Sequence, residues 1–330
     1  MRLTLMLPGA LIPTLLASEL SAALQAPALS RVVARATPSG EWSAPTEEQV
    51  PEDHWLAREV FGTHSPAPTA PYAWAELSGR KETSKTTWRA DPIHVALGRD
   101  TLIVQSLRDA PVTELESNDL LAAANELCTT EQCELQRVGV DWFLLCERAW
   151  SLRPPPLSAV TGAPLPLPDV DTADALHWSR LHNDIQMRWH AHPVNEAREA
   201  RGVPVVNGLW LHGGGTWKAL PRMPWSRVHS HRSDLRGAAH AAGALAEADD
   251  AAPEGDALLV WDDALPARSN TDWSAWLEAM ARIDRRIAAL PGAEIDLVLS
   301  GRQRLRQWRT RPSDRFKLWR HQSLAEALAE

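Results

Sequence analysis

Residues 190–215 gather an unusual density of chemically useful side chains. His190-Ala-His192-Pro-Val-Asn195-Glu-Ala-Arg198 is followed by Val206-Asn207-Gly-Leu-Trp-Leu-His212 and then by Gly213-Gly214-Gly215. Proline is favoured in the first turn of a helix. If a helix starts at Pro193, Asn195 and Arg198 lie one turn apart on one face. An arginine fork beside an amide suits a phosphate or a carboxylate, and glycines let backbone N–H groups approach an anion. The candidate ligand-binding residues are therefore His192, Asn195, Arg198, Asn207, Gly213 and Gly215. A plainer reading stands beside this one: Arg198 pairs with Glu196 or Glu199 at the surface, and the glycines make a turn. The stretch has no Gly-Lys-Ser/Thr, so it is neither a P-loop nor a dinucleotide fingerprint.

Metal chemistry is the second possibility. Eight of the twelve histidines fall between His177 and His240, with His-x-His pairs at His190/His192 and His229/His231. On a strand such pairs share a face and suit zinc or manganese; on a helix they do not. The weak metal set is Asp53, Asp262, Asp263, His190 and His192, and the expectation is no cofactor, with manganese or zinc as the alternative. Cys128, Cys133 and Cys146 are odd in number and spaced neither as a disulfide framework nor as a zinc site. They suit a reducing compartment.

Several function classes are excluded by composition. The formal net charge of −8 over 330 residues provides no basic field for nucleic acid or anionic lipid. No run approaches the ~20 apolar residues of a membrane span. Met1-Arg2-Leu-Thr-Leu-Met-Leu resembles a signal peptide, but Pro8, Gly9 and Pro13 break the run and Glu19 follows. A first strand at Leu3–Leu7, then a helix over about 15–35, in a cytoplasmic protein, fits better. Sixteen tryptophans against one tyrosine and three phenylalanines suit core aromatics or, alternatively, a stacking platform.

The elements that must position these residues are legible in part. Residues 37–90 are rich in Pro, Ser, Thr and Glu and hold one helix near 52–61. Ile93–Leu97 and Thr101–Gln105 form a strand pair around Gly98-Arg99-Asp100. Ser117 caps a helix whose apolar face is Leu120, Leu121, Ala124, Leu127 and Cys128. Leu135–Val138 and Trp142–Cys146 are two more strands, and residues 151–171 carry six prolines, which marks a linker. Trp178, Leu181, Ile185 and Trp189 line a helix that stops at Pro193. Val205–Leu211 and Leu258–Trp261 are apolar strands covered on both faces. Trp273, Trp276, Leu277, Met280, Ile283 and Ile287 form an amphipathic helix closed by Pro291-Gly292, and Ile295–Leu299 is a further strand. Strand–helix alternation implies a parallel-rich sheet flanked by helices.

The phrases His192-Pro193-x-Asn195-x-x-Arg198 and Gly202-x-Pro204-x-x-Asn207-x-x-Trp210-Leu211-x-Gly213-x-Gly215 resemble the archaeal-type cofactor-independent phosphoglycerate mutases of the alkaline-phosphatase-like superfamily. A bacterial branch, the RpfE-type regulatory proteins, is more similar still. Trp88-Arg89-Ala90-Asp91-Pro92 and Ala124-Asn125-Glu126-Leu127 add to the resemblance over residues 85–220. The resemblance implies an α/β alkaline-phosphatase-like core interrupted by a small α+β insertion: residues 1–84 as the first part of the core, 85–150 as the insertion, 151–171 as the linker and 172–330 as the rest of the core. It also implies a first-strand Asp, a Ser nucleophile and later carboxylate and histidine metal ligands. At those places this chain has Pro8, Glu52-Asp53-His54, Trp261-Asp262-Asp263 and Ser300-Gly301-Arg302-Gln303-Arg304. A pseudoenzyme with a regulatory role and an anionic or phosphorylated ligand is the expected function. The alternatives are an active metal-dependent phosphoglycerate mutase-like phosphotransferase and a protein-binding scaffold without a ligand.

Overall fold

Leu3 to Leu7 are buried in β1 (Arg2–Leu7), leaving only its first residue exposed, as in a strand covered on both faces. The computed structural model describes all residues except 47–48, 65, 99–100, 108–109, 162–171, 248–252, 292–293, 312–313 and 315–320. The chain divides into two units, one made of Met1–Ser65 and Leu220–Glu330 and the other of Pro66–Ala219.

The first unit is built on a seven-stranded sheet. Its order is β2 (Thr37–Ser43), β12 (Arg304–Thr310), β11 (Glu294–Ser300), β1, β10 (Ala257–Val260), β8 (Arg227–Ser230) and β9 (Leu245–Glu247). The strands from β11 to β9 are parallel, and β12 and β2 add an antiparallel edge. Leu3, Leu5, Leu7, Leu259, Leu297 and Leu299 face one way. They pack against α1 (Thr14–Ala23), α2 (Pro27–Arg35), α11 (Trp273–Ala289) and α12 (Leu324–Leu328). On the other face the Trp225 indole donates to Thr4 Oγ1 at 2.9 Å and lies against Trp55 of α3 (Pro51–Glu59). There α9 (Ser233–Ala241) covers β8 and β9. The expected helix over 15–35 is two helices. Pro27 lacks the N–H that a continuing helix needs but suits the first turn of a new one. The Leu29 N–H, orphaned at that new start, donates to buried Asp284 of α11 at 2.7 Å.

The second unit holds an antiparallel five-stranded sheet. The long β3 (Thr86–Leu97) pairs with β4 (Leu102–Ser106), β6 (Asp141–Cys146) and β7 (Gly208–Gly215), and β5 (Cys133–Val138) lies beyond β6. Trp88, Trp142, Leu144 and Leu211 form a core with α5 (Glu114–Cys128) and α7 (Ala173–His190). On the other face Trp74 of α4 (Thr69–Ser78) meets Phe143 edge-on. Two short helices, α6 (Leu157–Val160) and α8 (Pro193–Ala200), complete it.

The division therefore departs from the expected boundaries. Residues 66–84 and 172–219 join the second unit because α7 packs on α5 and β7 pairs antiparallel with β3. The second half of the apolar run Val205–Leu211 enters this antiparallel sheet as the start of β7. Its helix-covered burial imitates a parallel core strand. The expected cap Ser117 lies inside α5. Thr113 caps the helix instead, in a reciprocal capping box with Glu116. Arg99, Asp100, Gly292 and the linker residues 162–171 lie outside the described residues.

Candidate functional site

Five parallel strands end at one edge of the first sheet, the place where open α/β sheets bind ligands. The register sets Leu7 beside Leu299, and Met6 in line with Val260 and Ser230. The residues that follow these strands, Pro8, Arg232, Asp262 and Gly301, therefore emerge at the same edge. Helix α3 brings Glu52 to it. His54 stacks on Trp42 of β2 at 4.3 Å with the rings 9° apart, and Trp55 packs on Trp225. Both contacts fix the helix and leave the Glu52 carboxylate to accept from Ser300 Oγ at 2.8 Å.

The charges at this edge are organised around Arg232. Its Nε and Nη2 donate to the two Asp234 oxygens at 3.1 and 2.7 Å, and its backbone N–H donates to Ser230 Oγ. Burial disfavours the guanidinium charge, but Asp234, Asp53 and Glu52 outweigh it and hold the arginine more firmly protonated than usual. Glu52 is only 2% exposed. Burial, then the neighbouring Asp53, push its carboxyl up to about 7, against the Ser300 hydrogen bond and the Arg232 charge; Asp262 adds to the rise. The edge thus combines crowded carboxylates, a fixed cation and a carboxyl that titrates at about 7.

Of the expected metal set, Asp53 and Asp262 come into this field. Asp263 turns away to Arg286 of α11 at 3.1 Å, while Arg286 stacks over Trp261 at 3.9 Å. His190 is exposed at the end of α7, and His192 caps α8, so both belong to the second unit. Their pair straddles a helix junction, and His231 follows the last residue of β8, so neither His-x-His pair presents one strand face. Among the described residues no group of three or more His, Cys, Asp or Glu is arranged to hold a metal ion.

The expected ligand residues do converge, but on the fold itself. His192 Nδ1 accepts from the Val194 N–H at 3.3 Å. Asn195 is buried, donates to Trp189 O and Val206 O, and accepts from the Val206 N–H, each at 2.8 Å. Arg198 is 1% exposed. It donates to Pro204 O at 2.8 Å, Glu116 Oε2 at 2.9 Å and Ala110 O at 2.6 Å. Asn207 pairs with both backbone groups of Val95. Gly213 (φ 61°) and Gly214 meet α4 and β3 so closely that a Cβ would strike Thr69 Oγ1 at 2.1 Å and the Trp88 ring at 2.2 Å; at Gly215 it would meet Pro68 at 2.5 Å. Close packing accounts for these glycines. This geometry corrects both readings of Arg198: its fork is spent inside the protein, yet not on Glu196 or Glu199. His182 belongs to the same framework. It accepts from the Leu209 N–H at 3.1 Å, and burial lowers its pKa to about 4.

Three groups escaped the sequence reasoning. Glu52 and Arg232 look like surface charges in sequence. The third is His212, whose Nε2 meets Asp91 Oδ2 at 2.6 Å across β7 and β3. Burial raises the Asp91 carboxyl, but His212 and Arg89 outweigh this and hold it below the usual carboxylate range. The signal was present in the phrase Arg89-Ala90-Asp91, but its cross-strand partner depends on a register that only the fold supplies. The tryptophan platform finds no support: among the described residues no tryptophan is exposed.

No family model and no curated protein matches this chain. Solved structures do. The PH0037 protein from Pyrococcus horikoshii aligns over 94% of this chain and 87% of its own, at 12% identity and a TM-score of 0.56, and so is similar in fold. The cofactor-independent phosphoglycerate mutase from Thermoplasma acidophilum DSM 1728 aligns over 99% of this chain and 94% of its own, at 12% identity and a TM-score of 0.44, too low to establish a shared fold. No helix among the described residues is long and apolar enough to cross a membrane.

Proposed function

We propose that this chain is a catalytically degenerate relative of the cofactor-independent phosphoglycerate mutases, acting as a regulatory or binding protein of the RpfE type and not as a phosphotransferase. One observation carries the reading: the Arg232–Asp234 ion pair, faced by Glu52 and Asp53, stands at the carboxyl edge of the parallel sheet. By the sequence resemblance, that edge is where the mutases keep two metals and a serine nucleophile. Here Pro8 follows the first strand and Glu52-Asp53 stands at the nucleophile's place.

The chemistry of these side chains supports loss of phosphoryl transfer. Two metal ions stabilise the attacking and leaving oxygens of an in-line displacement. A guanidinium bound through two nitrogens to Asp234 supplies charge without an open coordination position. Glu52 accepts from Ser300 Oγ and holds its proton up to about pH 7, which makes it a poor nucleophile below that pH. The side-chain donors of Asn195, Arg198 and Asn207 are used inside the second unit, and we assign them no ligand.

Calorimetric titration of the untagged protein with manganese tests the reading. It predicts no saturable stoichiometric binding in the micromolar range. One or two equivalents bound by the wild type and lost in Asp262→Asn would favour the active phosphotransferase instead.

A further inference from the structure

Cys133 and Cys146 sit directly opposite one another on β5 and β6. The Glu147 N–H donates to Gln132 O at 3.0 Å just outside them. Their facing pair is thus a non-hydrogen-bonded one, in which Cα atoms approach to about 4.5 Å and side chains lie closest. Disulfides span Cα separations of about 4.4–6.8 Å. The two sulfurs are already 2.8 Å apart, about 0.8 Å beyond the ~2.05 Å of a disulfide bond. We propose that Cys133 and Cys146 are a dithiol that closes into a cross-strand disulfide, stapling β5 to β6 in the second unit. The third cysteine, Cys128 at the end of α5, stays a thiol.

The alternatives for three clustered thiols are weaker. They share one apolar core with Leu120, Leu135 and Trp142, and no metal-holding group forms among the described residues. Burial pushes the Cys128 thiol up to about 12, and the contact with Cys133 together with burial raises Cys146 as well. Cys133 is 6% exposed, and the other two are fully buried. Exchange with a small-molecule disulfide such as oxidised glutathione therefore starts at Cys133. Its thiolate attacks one sulfur of the oxidant, forms a mixed disulfide and releases one thiolate. Cys146, losing its proton, attacks Cys133 Sγ and releases the second. The oxidant gains two electrons, and the protons of the two cysteines pass to the two released thiolates. Closure forms a loop over residues 134–145 and restricts the unfolded chain.

The test is refolding to equilibrium in a glutathione redox buffer, followed by acid quench, denaturation, alkylation and mass analysis. Refolding removes the barrier of burial. The wild type is expected to shift from three alkylated cysteines to one, with the label on Cys128. Cys128→Ser should shift from two to none, while Cys133→Ser and Cys146→Ser should keep both of their labels. The oxidised wild type should also unfold at a higher urea concentration than the reduced one, with no such gain in Cys133→Ser. Three labels at oxidising equilibrium, a bond to Cys128, a stable glutathione adduct or a disulfide-linked dimer would each overturn the proposal.

Discussion

Glu52 is buried beside Asp53 in the field of Asp262, so ionising it adds negative charge where carboxylates already crowd. Its folded pKa of about 7 lies above the ordinary carboxylate value. The native state therefore holds a proton that the unfolded chain releases, and stability falls as pH rises from about 4.5 to 7. Glu52→Gln keeps an acceptor for Ser300 and removes the titration. It should stabilise the protein by up to about 3 kcal/mol at pH 8 and have little effect at pH 4. Urea unfolding of both proteins across this range checks it; a difference independent of pH would contradict the burial argument. At this scale the sequence was half informative. Asp53 and Asp262 could be named because the resemblance marks the nucleophile's place and the end of a later strand. Glu52, quoted in the same phrase as Asp53, and Arg232 were not singled out, since charged residues are nearly always at the surface unless paired, and the pairing partners Ser300 and Asp234 become visible only in the fold.

The junction of α8 and β7 shows how a phrase that looks like a ligand site can serve an element. Asn195 and Arg198 close the turn at residues 203–206 and tie it to the start of α5 through Glu116. Burial raises the Glu116 carboxyl, but the Thr113 backbone hydrogen bond, Arg201 and Arg198 outweigh it and lower its pKa. Lysine cannot reproduce the planar fork. Arg198→Lys should destabilise the second unit by about 2–4 kcal/mol, since it strands buried acceptors. Arg201→Lys changes an exposed partner of the same Glu116 and should alter stability by less than about 1 kcal/mol. Hydrogen exchange at α8 and β7 would separate them, and equal protection in both variants would return Arg198 to the surface. Periodicity revealed α5, α7 and α11 because their apolar faces are continuous. It missed β12, where a register shift between Gln307 and Trp308 lets Leu305 and Trp308, three apart, both be buried, breaking the alternation of a regular strand. It also missed β2, whose proline and glycine suit only an edge strand.

At the scale of the whole molecule, the mixed α/β class with a parallel-rich sheet followed from strand–helix alternation. The boundaries did not, because the first unit is assembled from Met1–Ser65 and Leu220–Glu330. Nothing local in Leu220 marks the chain's return to the first sheet, and an apolar run such as Val205–Leu211 does not reveal which sheet receives it. In the function proposed above, the arginine–carboxylate cluster at the carboxyl edge of that sheet replaces the two-metal site that the sequence resemblance implies. The most direct measurement is the interconversion of 2- and 3-phosphoglycerate by the purified protein with excess manganese. No turnover above the metal-only background is expected, whereas turnover of about 1 s⁻¹ or more, within the ordinary enzyme range, would contradict the loss of phosphoryl transfer.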